Sequence, residues 1–176
     1  MFGHFGFPSS GVRAHAQRGS RGGNGFFEVE ASGFARGSPA QAWAVMSDYE
    51  RLADFVPDLE SSRVLSRTGP VAIVEQVSRV GIMLMSYVVR MQVRIEERPM
   101  SAIDVSLISG DMRHYAVHWK LEPARQDGVD GTLLRFSGEL EPQFFIPPMV
   151  GQSVVQANVR QLMEAVVSAI EKRSAH

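Results

Sequence analysis

From residue 59 onward the chain changes its hydrophobic period once, and that change limits what it can fold into more than any other feature. From residue 59 to residue 142, apolar and polar side chains alternate almost throughout, the period of strands with one buried and one wet face. Residues 83–95 are the clearest run: Met83, Met85, Tyr87, Val89, Met91, Val93 and Ile95 share one face, with Ser86, Arg90, Gln92, Arg94 and Glu96 on the other. The pattern returns in Ile103, Val105 and Leu107, in Tyr115, Val117, Trp119 and Leu121, and in Leu134, Phe136, Gly138 and Leu140. Thr68-Gly69-Pro70, Arg98-Pro99, Gly110-Asp111 and Asp127-Gly128 punctuate these runs as turns. After Pro147 and Pro148 the period lengthens. Val154, Val155, Val159, Leu162, Met163, Val166, Val167 and Ile170 form one helical stripe, opposite Gln156, Arg160, Gln161, Glu164 and Lys172. A half-apolar sheet and one long amphipathic helix must pack face to stripe. The expected fold is therefore α+β, a curved antiparallel sheet wrapped around a long C-terminal helix.

The front of the body supplies two short helices after the first strand. Phe27, Val29 and Ala31 alternate with Glu28, Glu30 and Ser32, which predicts a strand ending near Arg36-Gly37. Ser38-Pro39-Ala40-Gln41 then reads as a helix start, with Ser38 as cap, Pro39 in the first turn and Gln41 closing a capping box. Asp48 is a second cap candidate, for a helical turn that stops before Pro57. Residues 1–25 differ from the rest. They hold seven of the sixteen glycines and few aliphatic side chains, so they are expected to be a disordered Gly/Arg-rich tail whose removal leaves the fold intact. The domain is expected to span 26–173.

Charge and composition exclude several classes. With 18 basic and 19 acidic side chains, the formal net charge is -1, and no general affinity for DNA is expected. There is no cysteine, which removes disulfides, thiolate catalysis and cysteine-based metal sites. No apolar run reaches the roughly 18 residues that cross a bilayer. A soluble protein is expected, with the cytoplasm slightly favoured over the periplasm.

Local motifs then resemble a known family. Ser-Pro-Ala-Gln-Ala-Trp from Ser38 to Trp43, Asp48-Tyr49-Glu50-Arg51-Leu52 and Phe55-Val56-Pro57 are similar to the front of the polyketide cyclase/dehydrase and coenzyme-Q-binding branch of the START-like (SRPBCC) superfamily. Ser109-Gly110-Asp111-Met112-Arg113 with Trp119 resembles its middle, and Phe144, Ile146, Pro147 and Pro148 before the long helix resemble its end. The resemblance covers about residues 26–173 and implies the helix-grip fold, with a cavity between sheet and C-terminal helix. It implies no single activity, since the superfamily carries lipid carriers, receptors, cyclases and ribosome-associated toxins on one scaffold.

Alternation and the helical stripe nominate the ligand-binding side chains of such a cavity. They are Met83, Met85, Tyr87, Met91, Tyr115, Val117, Trp119 and Phe136 from the sheet, and Val155, Val159, Leu162 and Met163 from the helix. Phe144 and Met149 would close one mouth. Met side chains suit a wall that adapts to a flexible guest, and the hydroxyls of Tyr87 or Tyr115 would fix its polar end. Glu75 shares the phase of Val71 and Ile73 and is expected to point inward. His114 and His118 fall on the wet face with Lys120 and Glu122, without a third ligand, so no metal is expected. Asp111, Arg113 and His114 fit a charged turn better than an acid/base cluster. No nucleophile elbow, phosphate loop or dinucleotide fingerprint is present. No catalytic residue and no cofactor are expected. The partner expected is a hydrophobic small molecule or lipid: an isoprenoid quinone, an acyl chain or a polyketide-like compound. A cyclase or dehydratase, or an interaction protein with transient membrane or ribosome contact, stands as the alternative, and the oligomeric state is left open.

Overall fold

A computed structural model describes residues 11–19 and 25–175. Eight antiparallel strands form one curved open sheet in the order β1-β2-β8-β7-β6-β5-β4-β3. The strands are β1 (Arg13–Arg18), β2 (Phe27–Ala35), β3 (Leu59–Thr68), β4 (Val71–Ile82), β5 (Met85–Arg98), β6 (Ala102–Gly110), β7 (Met112–Gln126) and β8 (Val129–Pro142). Helix α1 (Pro39–Met46) and a 3-10 helix (Tyr49–Asp54) link β2 to β3, and α2 (Gly151–Ser174) ends the described chain. The strands β3 to β8 form a meander, so each pairs with its sequence neighbour. Only the β2–β8 pairing joins distant strands, from Phe27↔Leu140 to Ala35↔Thr132.

Local chemistry sets most boundaries. The Ser38 hydroxyl accepts from the Gln41 amide while Gln41 accepts from the Ser38 amide, so the expected capping box starts α1. Asp48 makes no cap hydrogen bond; its carboxylate pairs with Arg51 at 3.6 Å. Asp127 and Gly128 both take positive φ, 52° and 78°, as a tight turn between β7 and β8 requires. Gly110, at φ 132°, sits where a Cβ would lie 2.1 Å from the Arg90 carbonyl oxygen. Beside it the Asp111 carboxylate accepts from the Arg90 amide at 2.9 Å, and the Asp111 amide donates to the Arg90 carbonyl at 2.8 Å. The Gly-Asp corner is a structural lock.

Three expectations are corrected. The tail over 1–25 contains a strand: Arg13–Arg18 pairs with β2, burying Val12 and Ala16, so the two short helices follow the second strand. Residues 1–10 and 20–24 lie outside the described residues. The long run 83–95 is broken by a hairpin turn, with Met83 at φ 57° and β5 starting only at Met85. Strand β4 has the opposite phase to the one expected. Ala72 and Val74 are buried, whereas Glu75 faces outward and pairs with Arg63 at 3.2 Å.

The core lies between the concave face of the sheet and α2, and the apolar stripe of the helix is the expected one. Close approach depends on missing side chains on β2. A Cβ on Gly33 would meet Val167 and Met163 at 3.0 and 3.1 Å. On the far side of the helix, the Gln156 side-chain oxygen accepts from the Ala16 amide at 3.1 Å and Arg160 donates to the Val12 carbonyl at 3.1 Å. Strand β1 thus clasps α2.

Candidate functional site

Helix and sheet do not close on each other completely. A cavity of about 290 Å³ remains between the concave sheet, the first half of α2 and the segment from α1 to β3. That volume is near the lower end for small-molecule sites and is walled almost wholly by apolar side chains.

Nine of the nominated residues come together on its wall. They are Met91 of β5, Tyr115, Val117 and Trp119 of β7, Phe136 of β8, Phe144 of the following loop, and Val155, Val159 and Leu162 of α2. Trp119 and Phe136, opposite each other in the β7–β8 ladder, meet edge to face at 4.8 Å. The other five lie elsewhere. Met83, in the β4–β5 turn, and Met85, the first residue of β5, stand exposed at the hairpin. Met149 is exposed in the loop before α2. Tyr87 stacks on Phe144 at 4.6 Å, outside the wall. Met163 is fully buried where the helix seats on Gly33, which leaves no room for a guest.

Other wall residues were not nominated. Met46, Tyr49, Leu52 and Phe55 close the end formed by α1 and the 3-10 helix, and Gln76, Ser78 and Val80 enter from the corrected face of β4. Asn158 of α2 also lines the cavity. Its spacing from Val155 and Leu162 already places it on the inward stripe, which is the signal that could have found it.

Polar groups on this wall differ in their commitments. The Tyr49 hydroxyl donates to Glu97, whose carboxylate also accepts from Arg67 at 3.0 and 3.2 Å. Burial, then the hydrogen bond and negative charge of Glu97, raise the Tyr49 pKa, with Arg67 opposing. For Glu97 burial acts upward, but the hydrogen bonds from Arg67 and Tyr49 and the charge of Arg67 outweigh it and hold the carboxyl below its usual range. That phenol is engaged in tying the 3-10 helix to β5. Gln76 is 3.4 Å from the Ser62 hydroxyl. Tyr115 is different. Burial alone pushes its pKa up to about 12, so the hydroxyl remains a neutral donor. It has no hydrogen-bond partner among the described residues, yet no fully buried side-chain N or O there lacks one. The Tyr115 oxygen therefore opens onto the cavity. The Asn158 amide is likewise without a partner among the described residues.

The histidines lie outside this space. His118 Nδ1 is 2.5 Å from Asp104, and His114 Nε2 is 3.3 Å from Glu139, both on the outer face of the sheet. Burial would raise the Asp104 pKa, but the hydrogen bonds and charges of His118 and Arg98 lower it overall. Among the described residues no three His, Asp or Glu side chains are grouped to hold a metal ion.

Comparison with known proteins gives a consistent picture. The sequence model of a family described as polyketide cyclase / dehydrase and lipid transport matches residues 36–167. No curated protein matches the chain. Among solved structures it is similar to the ZhuI aromatase/cyclase from Streptomyces sp. R1128, at TM-score 0.67 and 16% identity over 84% of this chain and 95% of that one. It is also similar to a STAR-related lipid transfer protein from Xanthomonas axonopodis, at TM-score 0.68 and 15% identity over 92% and 94% of the two chains. A START superfamily protein from Mycobacterium smegmatis gives TM-score 0.64 and 21% identity over 82% and 97%. At these identities the likeness is one of fold.

Proposed function

Because the chain belongs to the polyketide cyclase/dehydrase and lipid transport family, we propose that it binds a hydrophobic small molecule whose single polar group meets Tyr115. The observation that carries this reading is the apolar cavity with one phenol opening onto it that has no hydrogen-bond partner among the described residues. Removing apolar surface from water is worth about 25 cal/mol per Å², so a guest burying about 200 Å² would gain about 5 kcal/mol before its polar end counts. Tyr115 stays protonated at any physiological pH and is suited to donate to a carbonyl, ether or carboxylate oxygen of the guest. Asn158 adds an amide that can donate or accept. An acyl chain, an isoprenoid quinone or a polyketide-like compound combines such an apolar body with such an oxygen.

Native mass spectrometry of the purified chain, followed by extraction into organic solvent, tests the proposal. The expected result is an adduct mass that is recovered as an apolar compound. A chain that carries no adduct, and that takes up neither acyl nor quinone probes, would overturn it. The cyclase reading draws on Tyr115 and Asn158 together with Asp58, which also lines the cavity. Among the described residues, no two titratable groups on the wall are hydrogen-bonded to each other as an acid/base pair. A polyketide mimic recovered unchanged after incubation supports the carrier, and a cyclised product selects the enzyme.

A further inference from the structure

Residues 80–89 and 142–159 carry no charged side chain. The fold brings them to one end of the molecule. Tyr87 of the first stacks on Phe144 of the second at 4.6 Å, and Ile82, Phe144 and Ile146 line the same cavity. One to three residues beyond these wall positions, large apolar side chains turn outward. Exposure of Met83, Leu84, Met85, Phe145 and Met149 runs from 59% at Met85 to 101% at Leu84.

Single exposed apolar residues are ordinary, but five gathered on two adjoining loops are not. We propose that this end is a membrane-docking surface, on which the β4–β5 hairpin and the loop before α2 enter the hydrocarbon of a lipid bilayer. Two features favour a bilayer over a protein. Neither stretch contains a charge that would have to leave water. The patch is also continuous with the cavity wall, so an apolar guest passing between bilayer and cavity at this end avoids water. The last point rests on the carrier reading; the docking itself does not.

The test is sedimentation of the full chain with vesicles of phosphatidylcholine alone, and of phosphatidylcholine mixed with phosphatidylserine, at low and high salt. The wild-type chain should partition onto both, with little effect of salt. The double variant Leu84→Asp, Phe145→Asp should lose at least about tenfold in partitioning, with its melting temperature kept. Leu84→Asp alone, at a fully exposed position, decides the matter if the double variant does not fold. A wild-type chain that stays in solution, or a charged variant that sediments like it, overturns the proposal. So does binding confined to the anionic vesicles and abolished by salt. A wild-type dimer that Leu84→Asp dissociates would assign the patch to a second copy instead, and also overturns it. Uptake of a dansyl-labelled fatty acid in vesicle-free solution separates the two readings. Docking without uptake sinks the carrier and leaves the surface, whereas uptake without docking does the reverse.

Discussion

At the scale of single residues, the two tyrosines of the cavity wall divide structure from recognition. The Tyr115 hydroxyl has no hydrogen-bond partner to lose among the described residues, so Tyr115→Phe should leave the melting temperature unchanged. Guest affinity should fall about 3- to 10-fold, the worth of one neutral hydrogen bond, measured by titration with a fluorescent acyl probe. Tyr49 belongs to the network with Glu97 and Arg67, where the prediction concerns stability. The folded Glu97 carboxyl is held below its ordinary value of 4.5, so the folded state binds its proton less readily than the unfolded chain does. That contribution is complete above about pH 4.5 and is lost as pH falls through the lowered folded value. Glu97→Gln should therefore destabilise by about 1–3 kcal/mol at neutral pH, toward the lower figure because Arg67 is partly solvated. In thermal melts at stepped pH, the gap between the two proteins should narrow below about pH 4.5; a gap that widens there would reverse the assignment.

At the scale of elements, legibility depended on whether one face of a strand was clearly more polar. Strands β6, β7 and β8 were readable because Tyr115, Val117 and Trp119 face His114, His118 and Lys120 across an unambiguous divide. Strand β4 was not. Val71, Ile73 and Val77 on its outer face are as apolar as Ala72, Val74 and Val80 on its inner one, so hydrophobicity could not fix the phase. The hairpin at Met83 escaped notice because a residue at positive φ is usually glycine or asparagine, and here it is methionine. The cavity wall inherited these errors, and the contribution of the 3-10 helix depends on packing that no periodicity records. Strand β1 was hidden by averaging, since Val12, Ala14 and Ala16 alternate with Arg13, His15 and Gln17 inside a glycine-rich stretch. Its pairing leads to the opposite prediction from a dispensable tail. Deleting residues 1–19 removes buried Val12 and Ala16 and bares the edge of β2. A loss of at least about 2 kcal/mol in denaturant unfolding, together with concentration-dependent self-association, is expected; unchanged unfolding would mean that β1 adds nothing.

At the scale of the whole molecule, the hollow is a trade of stability for capacity, since well-packed cores leave few voids. Filling it should separate the two properties. Val159→Phe projects a larger ring from α2 into the cavity, where about 290 Å³ is available. Its melting temperature should hold or rise while uptake of the acyl probe disappears; a strongly destabilised variant would show that the space is not open to a side chain. The clasp between β1 and α2 has a consequence for biogenesis. Its two hydrogen bonds join residues 140 and 148 positions apart, and α2 is the last described element to be translated. The sheet can form before α2 has left the exit tunnel, but the cavity gains its helical wall only once residues 151–174 have emerged. A guest of the kind proposed therefore meets a finished site only after α2 has been made and seated against β1.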